Sequence, residues 1–208
     1  MPMRKSSLPP FLAGILLIGF LVGTVFLLRL GRGKIPLAAG DFPRARGPAG
    51  APIQIVEYSD FQCPACQVAQ GTLSQIMEQY PNKIRLIFQH YPLEGHRWSP
   101  LAHRAAECAA RQNQFWTYHD RLYGDQAVWS KAPEAPVEAL LNYARESELA
   151  LEEFAHCLGE AAVDRPVQDE RRAGFDLGVR STPSFFVNGK LAVGAPALRA
   201  EIEKITNQ

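Results

Sequence analysis

The sequence has almost no net charge and no dense run of basic residues. Its 22 Lys and Arg stand against 21 Asp and Glu, which leaves a formal net charge of +1 at pH 7. A protein whose main partner is nucleic acid usually carries a strongly basic patch. We therefore expect no nucleic acid among the partners, while the charge balance alone says nothing about the substrate.

Cysteine is scarce, and its spacing is unfavourable for a metal site. Of the four cysteines, Cys63 and Cys66 form a close pair, whereas Cys108 and Cys157 stand far apart in the sequence. Four-cysteine zinc sites use closely spaced ligand pairs, so we expect no metal here. The five histidines show no ligand spacing with the cysteines. We expect surface or locally bonded side chains at His90, His96, His103, His119 and His156.

The sequence contains one long apolar run, near its N-terminus. Residues 11–28 carry no charge, come after a basic segment at residues 1–10, and are numerous enough to span a bilayer. We predict an uncleaved transmembrane anchor at residues 11–30, with residues 11–28 in contact with lipid. A cleaved signal peptide is the alternative, because Leu37-Ala38-Ala39 loosely resembles a cleavage site.

Basic residues flank both ends of the apolar run, so a count of charges does not orient it. An N-terminal segment of this kind commonly exports the domain on its C-terminal side, and cysteine pairs suit an oxidising compartment. We expect a single-pass protein of the cell membrane with its main domain on the extracytoplasmic side, periplasmic or extracellular. Residues 31–50, rich in Gly, Pro, Ala and Arg, are predicted to be a linker to that domain, residues 51–208.

The 208 residues are 47% hydrophobic and contain no internal repeat, so one sizeable domain is expected. Hydrophobic periodicity predicts an α/β fold that starts with a βαβ unit and ends with a β-hairpin and a helix. A helical block, about residues 97–177, is inserted between these parts. The predicted strands are residues 53–58, 83–90, 184–187 and 191–193, and the first and last helices contain residues 68–80 and 197–205.

The motif Cys63-Pro64-Ala65-Cys66 stands between a predicted strand and a predicted helix. The unpaired N–H groups and the positive dipole end of a helix N-terminus favour a thiolate there. Two such thiols can close a small disulfide and exchange electrons in pairs. Pro64 suits the first helical turn. We predict that Cys63 is the nucleophile. The alternative is an inert disulfide, but so small a loop would stabilise the fold little.

Two motifs together resemble the DsbA-type proteins of the thioredoxin superfamily. They are Phe61-x-Cys63-Pro64-x-Cys66 and the segment Thr-Pro-Ser-Phe-Phe-Val-Asn-Gly at residues 182–189, with the helical block between them. The resemblance implies a thioredoxin-like fold with an inserted helical subdomain, here preceded by a transmembrane helix. It also implies a protein thiol–disulfide oxidoreductase that needs no cofactor other than its own Cys63–Cys66 disulfide.

The resemblance implies roles for further residues. It places a cis bond before Pro183, next to the cysteines, where the free backbone of Thr182 would hold an extended substrate chain. Without the resemblance, Pro183 would be an ordinary proline at the start of a strand. Phe61, Pro64 and Ala65 would shape the active site. The strongly oxidising bacterial prototype has histidine at the position of Ala65, so a less oxidising potential is expected here.

Glu57 lies six residues before Cys63 in an otherwise apolar predicted strand. Its position matches the buried acid of the family. The resemblance therefore implies a carboxyl group with a raised pKa that moves the proton of Cys66. The alternative is a solvent-facing glutamate at the edge of a strand.

Cys108 and Cys157 both fall in the predicted helical block. Either could be a buried free thiol. In an exported domain an even cysteine count favours a structural disulfide, which would stabilise the insertion by about 4 kcal/mol. A second redox-active pair is a less favoured alternative.

We therefore predict a membrane-anchored oxidoreductase that forms disulfides in reduced or misoxidised exported proteins. A membrane redox partner would reoxidise it. One alternative is a reductase of exported proteins, which that partner would reduce. Another is a non-catalytic thioredoxin-like module that binds peptides at Thr182 and Pro183.

Overall fold

The structure, a computed structural model, describes residues 43–207, in which strands alternate with helices. The strands are β1 (Ala45–Arg46), β2 (Ile53–Ser59), β3 (Ile84–His90), β4 (Ser184–Val187) and β5 (Lys190–Val193). The helices are α1 (Pro64–Gln79), α2 (Ser99–Arg111), α3 (Phe115–Gly124), α4 (Gln126–Trp129), α5 (Val137–Glu146), α6 (Leu151–Gly159), α7 (Asp164–Asp176) and α8 (Gly194–Thr206), with a 3-10 turn at Ala161–Val163.

The five strands form one mixed sheet in the order β1-β3-β2-β4-β5. The central strand β2 is parallel to β3 and antiparallel to β4. Helix α1 connects the parallel pair, and the β4–β5 hairpin leads directly into α8. The predicted βαβ start and hairpin-plus-helix end are both confirmed. This topology places the carboxyl end of β2 immediately before the cysteine motif.

Two apolar cores hold this arrangement together. One lies where the sheet packs against α1 and α8, and the other lies inside the helical block and beneath the loop after β2. Because each large side chain buried there contributes about 1.5–3 kcal/mol, the cores fix the positions of the helices on the sheet. The first includes Ile55, Leu73, Ile76, Phe185 and Ile202, and the second includes Phe61, Phe88, Phe115, Tyr118, Trp129 and Phe154.

Helix α7 packs very closely against β2, on the face of the strand that carries Tyr58. Gly174 of α7 lies against the ring of Tyr58, and a Cβ atom at this glycine would be 2.7 Å from two ring carbons. Only a residue without a side chain permits this approach. The helical block is thereby held directly on the strand that leads to the cysteines.

The sheet begins before the predicted domain boundary at residue 51. Ala45 pairs with Ile87 of β3, so part of the predicted linker, residues 31–50, belongs to the sheet. Arg44 is buried and forms ion pairs with Glu107 of α2 and Glu170 of α7. The sequence does not predict this strand, because two residues are too few to show a periodic pattern. It does not predict the burial of Arg44 either, because the ion-pair partners of Arg44 are far away in sequence.

The predicted anchor at residues 11–30 and the basic segment at residues 1–10 lie outside the described residues. Within residues 43–207 no helix combines the length and the apolar character needed to cross a membrane.

His90, His103 and His119 are all buried. The prediction of surface or locally bonded side chains is therefore wrong for His90 and His103, whereas His119 is locally bonded to Asp120. His90 and His103 share a hydrogen bond of 2.6 Å between their Nδ1 atoms. His119 Nδ1 lies 2.7 Å from Oδ1 of its neighbour Asp120. Burial lowers the pKa of all three imidazoles, so they are neutral at physiological pH. They fill space in the core, which a single sequence does not reveal.

The helical block, α2 to α7, occupies the place predicted for it between β3 and β4. A disulfide of 2.06 Å joins Cys108 of α2 to Cys157 of α6, and the two cysteines are 49 residues apart in sequence. The bond therefore links two helices of the block and lies outside the Cys63–Cys66 motif.

Replacing both Cys108 and Cys157 with alanine should lower the free energy of unfolding by about 4 kcal/mol, because the disulfide closes a long loop in the unfolded chain. Denaturant unfolding of the parent and the double variant measures this difference. The variant should keep its redox reaction, since Cys63 and Cys66 are untouched. An unchanged free energy of unfolding would contradict the structural role of this disulfide.

Candidate active site

Cys63 and Cys66 lie at the N-terminus of α1, close to the end of strand β2. Cys63 is the residue before the helix, with extended backbone angles, and Pro64 is the first helical residue. The N–H groups of Cys66 and Gln67 both donate to the Cys63 carbonyl, at 3.1 and 3.2 Å. Both thiols are free in the structure, Cys66 completely buried and Cys63 7% exposed.

The pKa values of the two thiols are shifted in opposite directions. Hydrogen bonds from the Cys66 thiol, which is the largest cause, from Thr182 and from the N–H groups of Cys66 and Ala65 together lower the pKa of Cys63 to about 5, although burial opposes the shift. Burial, followed by the interaction with Cys63, raises the pKa of Cys66 far above its usual range. At neutral pH the pair therefore holds one thiolate and one thiol, with the thiolate at the more accessible sulfur.

The segment Thr182–Pro183 lies against Cys63, although the residues are more than a hundred positions apart. The peptide bond before Pro183 is cis. Cys63 Sγ is 3.6 Å from the carbonyl oxygen of Thr182. The Pro183 carbonyl accepts a hydrogen bond of 2.9 Å from the N–H of Gly194, which ties the segment to the start of α8. The Cys63–Cys66 motif and the segment at residues 182–189 therefore lie next to each other in the fold.

Glu57 occupies the middle of β2, opposite Phe88 of β3 and Phe185 of β4. Its side chain is completely buried, and Gln70 of α1 donates a hydrogen bond of 2.9 Å to Oε1. Burial raises the pKa of Glu57 to about 7, although donors at Ser59 and Gln70 oppose the shift. A carboxyl group with this pKa can both accept and release a proton near neutral pH.

Phe61 forms the floor of the site. Its ring stacks on Phe88 with 5.1 Å between centroids and also meets the rings of His103 and Tyr123. The Phe61 carbonyl accepts a hydrogen bond of 2.7 Å from Gln126 Nε2. These contacts hold the loop after β2 in place, so that the cysteine motif has a rigid support.

Pro64 and Ala65 are exposed between the cysteines. Pro64 begins the helix, and the N–H of Ala65 contributes to the low pKa of Cys63. The methyl group of Ala65 offers no hydrogen bond to a thiolate. Within the motif, the Cys66 thiol and backbone N–H groups donate hydrogen bonds to the Cys63 sulfur, and the Ala65 side chain does not.

Asp60 is a residue of the site that the sequence analysis missed. It is completely buried, and its carboxylate accepts hydrogen bonds of 2.7 Å from the N–H groups of Gln62 and Leu93 and from the hydroxyl of Ser99. Its Oδ2 also lies 2.8 Å from His96 Nδ1. Asp60 therefore joins the cysteine loop to the loop after β3 and to the start of α2. In the sequence, only the position of Asp60 three residues before Cys63 could have indicated that it belongs to the site.

Gln126 was also missed. Its Nε2 donates to the carbonyl oxygens of Phe61 and Cys63, at 2.7 and 3.0 Å, across 63 residues of sequence or more. No local pattern indicates such a contact. Within residues 43–207, no cluster of three or more His, Cys, Asp or Glu side chains is arranged to hold a metal.

Solved structures with the same fold include oxidoreductases of the thioredoxin type. A thioredoxin-like oxidoreductase from Silicibacter pomeroyi superposes with a TM-score of 0.69 at 24% identity, over 85% of this chain and 99% of that one. Oxidised BdbD from Bacillus subtilis gives 0.67 at 21% identity, over 77% and 91%. At these identities the similarity establishes the fold alone.

Some curated relatives are much longer proteins. One named Na(+)/H(+) antiporter NhaA 3, from Salinispora tropica, is 36% identical over 152 residues, which cover 72% of this chain and 22% of that protein. The chain therefore spans less than a quarter of this relative. The similarity concerns that part alone, and an activity of the whole relative does not follow from it.

A family model described as Thioredoxin matches residues 41–205. A relative of comparable length, named probable disulfide bond formation protein D, from Bacillus anthracis, is 30% identical over 190 residues, 87% of this chain and 85% of that protein. The family match covers the sheet, both motifs and the helical block. The chain belongs to the thioredoxin family, and over most of its length it is similar to a relative named as a disulfide bond formation protein.

Proposed function

We propose that this protein is a membrane-anchored oxidase that forms disulfides in exported proteins through Cys63 and Cys66. The observation that carries the proposal is the opposite acidity of the two thiols. The low pKa of Cys63 stabilises the reduced pair, because this sulfur is a favoured thiolate at neutral pH, while the high pKa of Cys66 keeps the other sulfur a thiol. A pair whose reduced form is stabilised is an oxidant of other dithiols.

The reaction starts from the Cys63–Cys66 disulfide. A substrate thiolate attacks Cys63 Sγ, a mixed disulfide forms, and the electron pair of the broken bond goes to Cys66 Sγ, which takes up a proton. A second substrate thiolate then attacks the substrate sulfur of the mixed disulfide and expels Cys63 as a stable thiolate. The substrate gains one disulfide, and the enzyme is left as the reduced pair.

Glu57 is proposed as the group that exchanges a proton with Cys66. The thiol is completely buried, so bulk water cannot deliver the proton directly. The carboxyl group, with a pKa of about 7, is protonated in part of the molecules and ionised in the rest at neutral pH. It can therefore serve as acid when Cys66 leaves and as base when Cys66 attacks.

Thr182 and Pro183 are proposed to hold the substrate chain. The Thr182 carbonyl oxygen lies 3.6 Å from Sγ of Cys63, the more accessible cysteine, and a cis peptide bond joins Thr182 to Pro183. An extended peptide bound there by main-chain hydrogen bonds would present its own cysteine to Cys63. Phe61, Pro64 and Ala65 would shape the same surface.

The proposed location is the extracytoplasmic side of the cell membrane, with residues 11–28 in the bilayer. The disulfide between Cys108 and Cys157 supports an oxidising compartment, because such bonds are rare where thiols are kept reduced. After each turnover the pair must lose two electrons. We therefore infer a membrane redox partner that reoxidises it.

A reductase of exported proteins is the second candidate. Ala65 favours it, because this side chain offers the Cys63 thiolate no hydrogen bond, which makes the pair a weaker oxidant. The backbone donors and the Cys66 thiol compensate for this absence, and for that reason we prefer the oxidase.

Replacing Cys63 with serine should abolish oxidation of a reduced, unfolded substrate protein, because the nucleophilic sulfur is lost. Replacing Cys66 with serine should instead accumulate a mixed disulfide between Cys63 and a misoxidised substrate protein, because Cys63 attacks the substrate's disulfide, one substrate thiolate leaves, and no second enzyme thiol releases the substrate. Gel electrophoresis without reductant detects this species. The Cys108→Ala/Cys157→Ala double variant serves as the control for loss of a cysteine pair elsewhere. Parent-like turnover by the Cys63→Ser variant would contradict the proposed function.

Replacing Glu57 with glutamine should slow the Cys66-dependent step by about 10²-fold or more, the usual contribution of a positioned acid or base. Single-turnover kinetics at pH 7 measure this step. A rate equal to that of the parent would remove Glu57 from the mechanism.

The same variant should be more stable than the parent above pH 7. Below pH 4.5 the carboxyl group is protonated in both states and has no effect. As pH rises from 4.5 to about 7, only the unfolded chain ionises, so the parent loses roughly 3 kcal/mol that the Glu57→Gln variant keeps. Denaturant unfolding at pH 4 and pH 8 checks this, and an equal stability difference at both values would contradict the raised pKa.

A further inference from the structure

The backbone N–H of Asp60 donates a hydrogen bond to the sulfur of Cys66, with 3.5 Å between the nitrogen and Sγ. Both residues are completely buried, so bulk water does not compete for this contact. A thiol sulfur is a weak acceptor, whereas a hydrogen bond to an ionised group is roughly twice as strong as one between neutral groups. The contact therefore strengthens when Cys66 becomes a thiolate, which happens each time this sulfur leaves or attacks in the proposed reaction.

The N–H of Asp60 has this direction because Asp60 begins a tight turn. Its carbonyl oxygen accepts a hydrogen bond of 3.0 Å from the N–H of Cys63, later in the same turn. Its Oδ1 accepts one of 2.7 Å from the N–H of Gln62. Aspartate is favoured at the first position of a turn, because its side chain can bind the backbone two residues ahead. Asp60 thus contacts the backbone of Cys63 with its carbonyl and the sulfur of Cys66 with its N–H.

The Asp60 carboxylate fixes this turn to two other parts of the fold. Oδ1 also accepts a hydrogen bond of 2.7 Å from the Ser99 hydroxyl at the start of α2. Oδ2 accepts bonds of 2.7 Å from the N–H of Leu93 and 2.8 Å from Nδ1 of His96, both in the loop after β3. An ionised carboxylate has about four acceptor sites and no proton to donate, so the four donors, including Gln62, use all of them. Turning the N–H away from the sulfur would pull the carboxylate off these donors.

A fixed donor at this sulfur matters because the Cys66 thiolate is costly to form. Burial raises the pKa of Cys66 far above its usual range, and both directions of the exchange pass through its thiolate. Donors that are already aimed at a developing charge stabilise it without reorganisation. Removing one donor of this kind from an acyl-transfer enzyme slows it by about 10²–10³-fold, and we expect a smaller factor for sulfur, which is the weaker acceptor.

We propose that the backbone N–H of Asp60 stabilises the Cys66 thiolate during thiol–disulfide exchange, and that the Asp60 carboxylate positions this N–H. The inference rests on the proposed function for the roles of Cys63 and Cys66, and it adds a catalytic donor to them. When a substrate thiolate attacks Cys63 Sγ, the Cys63–Cys66 bond breaks and its electron pair goes to Cys66 Sγ. The N–H of Asp60 holds the new thiolate until it receives the proton that Glu57 is proposed to supply.

The opposite direction uses the same contact. The Cys66 thiol gives its proton to the Glu57 carboxylate, as proposed above, and the N–H of Asp60 holds the resulting thiolate. This thiolate attacks Cys63 Sγ of a mixed disulfide, the Cys63–Cys66 bond forms, and the other sulfur leaves with the electron pair. Formation of the mixed disulfide needs only the Cys63 thiolate, whereas its decay needs the Cys66 thiolate. Comparing the two rates therefore separates the role of Asp60 from general damage to the site.

Replacing Asp60 with asparagine keeps the shape of the side chain but exchanges one acceptor oxygen for an NH2 group. Whichever way the amide lies, its NH2 group meets a backbone N–H, that of Gln62 or that of Leu93, which then loses its acceptor. The turn should loosen, and the N–H of residue 60 should move away from the sulfur. The lost negative charge acts the other way, because a nearby anion disfavours a thiolate. The sign of the rate change therefore distinguishes positioning from simple electrostatics.

The test follows both steps in the full chain. Reduced protein is mixed with oxidised glutathione at pH 7, and acid quenching with mass spectrometry measures the glutathione–Cys63 mixed disulfide as it forms and decays. Asp60→Asn should slow the decay by about tenfold and leave the formation rate within about twofold of the parent. His96→Ala, which removes one of the four donors to the carboxylate, should slow the decay by a smaller factor.

Asp120→Asn is the matched control for the side chain. Asp120 also binds a histidine, with its Oδ1 2.7 Å from Nδ1 of His119, but it lies on α3 and its side chain is exposed. The mixed disulfide of this variant should form and decay at the parent rates.

An amide-to-ester change at residue 60, made by incorporating the corresponding hydroxy acid, removes the N–H itself and keeps the carboxylate. It should slow the decay at least as much as Asp60→Asn does. The ester also weakens the Ser59 carbonyl, which accepts a hydrogen bond of 2.9 Å from the N–H of Tyr91. An ester at residue 91 removes that bond and leaves the N–H of Asp60 in place, so with this change the decay should keep the parent rate.

Parent-like decay in Asp60→Asn and in the ester at residue 60 would overturn the proposal. Faster decay in Asp60→Asn would assign its effect to the lost charge and would contradict a positioning role of the carboxylate. Equal slowing of formation and decay, or equal effects of the esters at residues 60 and 91, would also overturn it, because general disturbance would then be the cause. His96→Ala and the ester at residue 60 keep the test available if Asp60→Asn does not fold.

The decay of the mixed disulfide is measured whichever way electrons flow in the cell. Failure of the role proposed for Asp60 therefore leaves the oxidase proposal standing. A strongly reducing potential of the Cys63–Cys66 pair would do the opposite, since it would contradict the oxidase and leave the donor at Cys66 in place.

Discussion

The hydrogen bond from the buried Cys66 thiol to the Cys63 sulfur is the interaction on which the rest of the site depends. It is the largest cause of the low pKa of Cys63. It also requires Cys66 to keep its proton, which burial ensures by raising the pKa of that thiol. One accessible thiolate and one inaccessible thiol result from this single geometry. The helix N-terminus adds backbone donors to the thiolate, as its dipole would suggest.

The fold supplies this geometry at a cost in stability. The central strand β2 carries Glu57 into the core, where its ionisation opposes folding above pH 4.5. Packing in the two apolar cores and the disulfide in the helical block offset that cost. Asp60 and Gln126 tie the cysteine loop to the helical block, so the block serves as the support of the active site.

The parts of the protein that were predictable from the sequence have local signals. Cys63 to Cys66 stand between an apolar strand and a helical pattern, and Asn188-Gly189 marks the hairpin, so the main elements can be inferred from periodicity and turn chemistry. The parts that were missed depend on distant partners. The strand at residues 45–46 exists because β3 pairs with it, and His90 is buried at the end of β3 with His103 of α2 as a hydrogen-bond partner. Gln126 reaches the cysteine loop from another helix. No local pattern encodes such contacts.

The reduction potential of the Cys63–Cys66 pair, measured against glutathione buffers at several pH values well above the pKa of Cys63, tests the account most directly. If Cys63 is a thiolate and Cys66 a thiol over this range, reduction takes up two electrons and one proton. The potential should then lie above that of the glutathione couple and fall by about 30 mV per pH unit. A potential below that couple, with a slope of about 60 mV per pH unit, would show two ordinary thiols and would contradict both the stabilised thiolate and the oxidase.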